Sequence, residues 1–397
     1  MKNKTIKYKK KTKYKTQKSI KNIQSIYILY TGGTIGMNYN KQTGLTPEKN
    51  LFKNLINKLH ITNALNIKYK IYAMPNIIDS SNIQPNNWLQ ILENLKENYM
   101  KYDSFIIIHG TDTLAYTASL LSFYLKDWKK SVIVTGSQIP LVEFRNDAIR
   151  NIKDSLILSV YNIPQVLIVF GGVCLRANCS TKYSSVSFVA YKCPNIEPIG
   201  YFNVNLKLNY KVISDGDIIP TAFVSKNLPL TIKTSNWKND IYIAVITLVP
   251  GINWEIKIKQ IFTSKTPNAI ILRSFGIGNA PVSSKEFIDF LKLCKKHKII
   301  VVNTTQCYSG GVNMQIYKTG VLMKKHSVLS GEKMTFEAIY TKLFYLFQVI
   351  DKKKIELIKK LFNINIAGEI PNDYNKISLK KTIKKKNKIL FKKYQEI

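Results

Sequence analysis

The chain has 397 residues, 45% of them hydrophobic, which is enough for a large core and suggests about two domains. No apolar run approaches the ~18 residues that span a bilayer. The five cysteines (Cys174, Cys179, Cys193, Cys294, Cys307) are an odd number without zinc-site spacing, which argues against a disulfide framework or a structural zinc.

A formal charge of +36 suggests nucleic acid or an anionic surface, but of 60 basic residues only Arg145, Arg150, Arg176 and Arg273 are arginines. Phosphate and base-edge readers favour the planar arginine fork, so specific nucleic-acid recognition is not expected. Lysine, isoleucine, asparagine and tyrosine together suit A/T-rich codon drift. Residues 1–22 carry ten lysines and no acid, without the apolar centre of a secretory signal or the arginines of a transit peptide. Residues 376–397 carry nine lysines and one acid. Solvated tails over 1–24 and 371–397, and a reduced, cytoplasmic chain, are the expectation.

Between the tails, continuous apolar runs alternate with helical segments. They are Ile26–Tyr30, Phe105–Ile108, Val132–Thr135, Val166–Phe170, Ile241–Leu248, Ala269–Leu272 and Ile299–Val302. Unbroken runs are the mark of strands buried on both faces of a parallel sheet. The pattern predicts an α/β fold of two domains: a larger N-terminal, doubly wound, mostly parallel sheet over 25–213, and a smaller C-terminal α/β domain over 241–370. The polar stretch 214–240 is read as the linker. In such folds ligands bind outside the carboxyl ends of the strands, where strand order reverses.

The first run ends in Tyr30-Thr31-Gly32-Gly33-Thr34-Ile35-Gly36, and the second in His109-Gly110-Thr111-Asp112-Thr113. Both resemble phosphate cradles, yet neither a Gly-Lys-Ser/Thr nor a Gly-x-Gly-x-x-Gly is present. Thr31 and Thr111 therefore suggest hydroxyls at one crevice. A threonine nucleophile needs a base, and Lys182, beyond the third glycine pair Gly171-Gly172, is a candidate with Asp112 to hold it. Hydroxyls, a lysine and a carboxylate suit acyl transfer to water, with glycine-turn N–H groups stabilising an oxyanion. The plainer alternatives are a helix cap for Thr111 or Asp112 and a solvated side chain for Lys182.

Together, YTGGTIGM, HGTDTLAYTASLLSF, VIVTGSQIP, STK, ILRSFGIGNAP and VVNTTQC resemble, in order, the motifs of the bacterial cytoplasmic (type I) L-asparaginases over roughly residues 25–370. The resemblance implies cofactor-free hydrolysis of L-asparagine in a homotetramer, a dimer of dimers, with no metal. It assigns Thr31 as nucleophile and Thr111, Asp112 and Lys182 as the second catalytic group. Asp79, Ser80 and Ser81 match the loop that grips the substrate's α-carboxylate and α-amino groups, with Asp112 also receiving the ammonium. Arg273 and Cys307 match a regulatory site for a second asparagine. The ordinary alternatives are an interdomain salt bridge for Arg273 and a small buried hydrophobe for Cys307.

Three departures from the family pattern stand out. Asn82 replaces an acid, and Leu45 lies where a loop tyrosine is usual, with Tyr39 nearby. RANC replaces Arg-Gly-Asn-Arg before the STK motif. Two other functions fit the same motifs: an asparaginase-like component of a tRNA amidotransferase, which would need a further N-terminal domain, and a degenerate fold serving as a polycation for RNA or membrane.

Overall fold

The computed structural model describes residues 24–371 apart from 43, 59–66, 217–233, 235 and 264. Apart from Gln24 and Pro371, the two expected tails lie outside the described residues, as does most of the 214–240 connection.

The larger sheet has eight strands. Five run parallel: β1 (Gln24–Gly32), β4 (Ile67–Ile78), β5 (Ser104–Ile108), β6 (Val132–Thr135) and β7 (Val166–Phe170). β2 (Met37–Asn40) and β3 (Gly44–Pro47) form a separate hairpin after β1. The order is β4-β1-β5-β6-β7, continued antiparallel by β8 (Val173–Arg176), β11 (Gly200–Phe202) and β12 (Leu206–Leu208). β9 (Thr181–Lys182) and β10 (Tyr191–Lys192) pair with each other in the intervening excursion.

β1 lies between its successor β4 on one side and β5 on the other, so strand order reverses there. That reversal opens a crevice outside the carboxyl ends of β1, β4 and β5. β4 is the edge strand, and it exposes Lys68, Lys70 and Tyr72 on alternate positions. Lysines along an edge discourage pairing with another chain.

Helices α1 (Lys49–Lys58), α2 (Pro85–Asn98), α3 (Leu114–Tyr124), α4 (Ala148–Ser159) and α5 (Tyr210–Gly216) accompany this sheet. The smaller sheet is wholly parallel, in the order β13 (Ile243–Thr247), β14 (Ala269–Ser274), β15 (Ile300–Thr305), β16 (Leu329–Ser330). With it go α6 (Trp254–Phe262), α7 (Lys285–Lys296), α8 (Lys318–Lys325), α9 (Phe336–Val349) and α10 (Ile355–Phe362). No helix among the described residues is long and apolar enough to cross a membrane.

The two sheets share a core. α3 is apolar nearly all round and is buried on every side except at Tyr116, as such a helix must be. Its cover is α9, capped by Thr335, whose hydroxyl accepts from Ala338 N at 3.2 Å. Phe123 stacks on Tyr345 at 5.7 Å and Trp88 meets Phe344 edge-on at 5.5 Å. The same cluster continues through Ile243, Ile271 and Val302 of the smaller sheet. The opposite face of that sheet packs separately on Trp254, Phe287 and Phe290.

α9 also carries Lys342, which is fully buried and pairs with the equally buried Glu369 at 2.5 Å. Its ammonium further donates to Ile364 O at 2.7 Å, while Glu369 accepts from the N–H groups of Ile366 and Ala367. Removing one partner strands a buried charge. Lys342→Met is expected to lower stability by ~3–5 kcal/mol, and adding Glu369→Gln to recover part of it. Thermal unfolding of the single and double variants tests this, and equal loss in both would dismiss the pairing.

Candidate active site

Three strand ends build the crevice. Thr31, near the end of β1, is 6% exposed and donates its hydroxyl hydrogen to Ile108 O, the last residue of β5, at 2.9 Å. Beyond it the backbone turns at Gly33, with φ +86°, where a Cβ would stand 2.3 Å from Gly110 Cα. Gly110 in turn has Ser80 Oγ 2.6 Å from where its own Cβ would be. The Gly33 and Gly110 turns therefore touch backbone to backbone, and the Ser80 side chain closes on Gly110 from the third turn, approaches that only glycine allows. The glycine pair serves to interlock these turns.

Ser80 follows β4 in a short 3-10 turn capped by Asp79, whose carboxylate accepts from Ser81 N at 3.3 Å. Ser80 is buried. Its Oγ accepts from Asp112 N at 3.2 Å, and its carbonyl accepts from the Thr113 hydroxyl at 2.7 Å. Asp79, Ser81 and Asn82 are exposed beside it.

Lys182 closes the constellation. Its ammonium donates to Thr111 Oγ1 at 3.0 Å and to Asp112 Oδ1 at 2.7 Å. The side chain is 22% exposed, so the lysine is not a solvated surface charge. Thr111 and Asp112 are not helix caps either: α3 is flanked by Thr113, and no side chain caps it.

Several groups that local sequence did not reveal hold this lysine. Tyr191 lies opposite Lys182 in the β9–β10 pair, and its buried hydroxyl donates to Thr111 O. Thr181, on the other face of β9, donates to Glu337 Oε1 at 2.7 Å. Burial raises the Glu337 carboxyl above its ordinary range, against the pull of Thr181's hydroxyl. The RANC turn before β9 is clasped by the segment around Gly368. Arg176 donates to Gly368 O at 3.3 Å and Val212 O at 2.5 Å, and Asn178 to Ala367 O at 2.8 Å. Cys179 lies buried, its thiol donating to Gly368 O at 3.2 Å. No pattern within one segment predicts such contacts, because their partners lie up to some 190 residues away.

Two expected groups lie elsewhere. Arg273 is in β14 and Cys307 just past β15, at the carboxyl ends of the smaller sheet. Arg273 forms no ion pair among the described residues, so the interdomain salt bridge is absent there. Its guanidinium lies 5.2 Å over the Phe336 ring, and its Nε is buried without a partner. Cys307 is exposed, not a buried hydrophobe. Tyr39 and Leu45 lie directly opposite each other across the β2–β3 hairpin, both exposed.

Two family models match the chain. "Asparaginase, N-terminal" covers residues 25–214, and "Glutaminase/Asparaginase C-terminal domain" covers residues 242–362. The chain is 37% identical to L-asparaginase 1 of Escherichia coli over 88% of its own length and 99% of that protein's. It is similar to the crystal structure of L-asparaginase I from Vibrio cholerae, with TM-score 0.74 and 34% identity over 88% of this chain and 100% of that one. It is also 28% identical to a component of the glutamyl-tRNA(Gln) amidotransferase of Pyrococcus horikoshii, over 88% of this chain and 77% of that protein.

Proposed function

Since the chain belongs to the asparaginase family, we propose that it hydrolyses L-asparagine to L-aspartate and ammonia with Thr31 as nucleophile. The observation that carries the reading is the Lys182 ammonium shared between Thr111 and Asp112 at 3.0 and 2.7 Å, beside the turn that holds Thr31. Thr31 Oγ attacks the side-chain amide carbon, and the amide nitrogen takes a proton and leaves as ammonia. Lys182 in its neutral form takes, through Thr111, a proton from the water that adds to the threonyl ester, and the proton returns to Thr31 Oγ as the ester breaks and aspartate leaves. Asp79 and Asp112 receive the substrate's ammonium.

The protein works without a cofactor, in the cytoplasm, as a homotetramer built as a dimer of dimers. Its five free cysteines suit a reducing compartment. Ammonia release by the purified protein, compared for L-asparagine and L-glutamine, tests the reaction. Faster release from glutamine, or release only with a partner and charged tRNA, would favour the amidotransferase reading.

Regulation belongs to the same proposal. Arg273 offers a fork with a buried, unpartnered Nε, which suits a second asparagine's carboxylate better than lysine would. The rate is expected to be sigmoidal in asparagine, because an effector site biases a two-state oligomer. Arg273→Lys should raise the midpoint or flatten the curve while the maximal rate stays. A hyperbolic wild-type curve, unchanged in the variant, would leave Arg273 structural.

A further inference from the structure

His109 opens the HGTDT motif, is 1% exposed, and takes no part in the reaction scheme above. Its Nδ1 lies 2.8 Å from Gly110 O. A carbonyl only accepts, so Nδ1 carries the hydrogen. Nε2 is then bare and accepts from the Thr117 hydroxyl at 2.9 Å. Thr117 Oγ1 in turn accepts from the Trp88 indole N–H at 3.0 Å, and an indole only donates. For the neutral ring the Gly110 carbonyl thus fixes one tautomer, along a relay from α2 through α3 to the turn after β5.

We propose that His109, held by Thr117 and Trp88, is a positioning residue that sets the Gly110–Thr111 peptide for the hydrolytic site. The inference rests on Thr31 and Thr111 being the reacting groups. All described peptides are trans, so a Gly110 carbonyl drawn inward to His109 turns the Thr111 N–H the opposite way. The hydroxyl of that same residue accepts from Lys182. The same short loop presents Ile108 O to the Thr31 hydroxyl, and His109 N anchors it to Thr135 O at 2.8 Å. His109, Gly110, Thr31 and Ser80 also line one small cavity. Burial keeps the ring neutral, drawing its pKa down to about 4 against the opposing pull of the Gly110 bond. A buried polar wire is costly wherever packing alone would do, and here both ring nitrogens are satisfied.

The test separates the two ring nitrogens. His109→Asn keeps a donor near the Nδ1 position, whereas His109→Gln keeps only the reach towards Thr117. On folded protein, His109→Gln should lower kcat by ~10²-fold with KM little changed, as a misplaced reacting group does, and His109→Asn should lose far less. The chain has four histidines, so ¹⁵N spectra can assign His109 by elimination, with the other three replaced in turn. The wild-type ring should stay neutral with hydrogen on Nδ1 from pH 8 to pH 5. A ring charged at pH 6, a hydrogen on Nε2, or wild-type kcat in His109→Gln would overturn the proposal. The spectrum decides even if both variants fail to fold. A wild-type protein that releases no ammonia would sink the hydrolase reading, whereas an active one matched by His109→Gln would sink this inference alone.

Discussion

Thr31→Ala is expected to lower ammonia release from L-asparagine by ~10²–10⁶-fold, the range seen when one member of a cooperating catalytic set is lost. The expectation follows from placement. Thr31 lies near the end of the strand at which strand order reverses, and its hydroxyl donates to Ile108 O. Alanine removes that contact and the proposed nucleophile but leaves the Gly32-Gly33 turn intact, so the variant should fold. Thr31→Ser keeps a hydroxyl and should keep substantial activity. The pair is read by steady-state kinetics alongside circular dichroism. A folded Thr31→Ala with near wild-type turnover would remove Thr31 from the chemistry and shift attention to Thr111.

Lys182→Arg should cost ~10²–10⁴-fold in kcat, the usual contribution of a positioned acid or base. Arginine retains the charge and can still pair with Asp112, but it does not give up its proton at neutral pH. The comparison therefore separates proton transfer from electrostatic support. Lys182→Met loses both, and should be at least as impaired as Lys182→Arg. If Lys182→Arg turned over within a few-fold of wild type, the ammonium would be acting as a fixed charge that orients Asp112 and Thr111.

The buried parallel strands were legible because burial on both faces demands unbroken apolar runs. Ile26–Tyr30, Val132–Thr135 and Val166–Phe170 lie in or coincide with β1, β6 and β7. β4 was not foreseen, since an edge strand such as IKYKIYAMPNII alternates lysine with apolar residues. The short antiparallel strands VCLR, GYF and LKL are too brief to carry any period. In the site, Thr31, Thr111, Asp112 and Lys182 stood out because they lie at or beyond the ends of strong apolar runs and their glycine turns. Tyr191 and Glu337 did not, because each acts through a partner on another segment and a lone tyrosine or glutamate has no local mark to distinguish it. His109 sits inside the HGTDT motif, but its tie to Thr117 and Trp88 crosses segments and was not legible.

The helix that covers α3 has a consequence for synthesis. α3 ends at Tyr124, while α9, which buries its apolar surface, begins at Phe336, some 210 residues later. At ~5–20 residues per second a ribosome takes tens of seconds to make that span. Throughout that interval Phe123, Leu121 and Trp88 belong to a nascent chain whose closing partner has not yet emerged. The first sheet can pair its strands early, but its core stays open until α9 arrives. The apolar face of α3 is therefore exposed during synthesis and covered only once the chain is nearly complete.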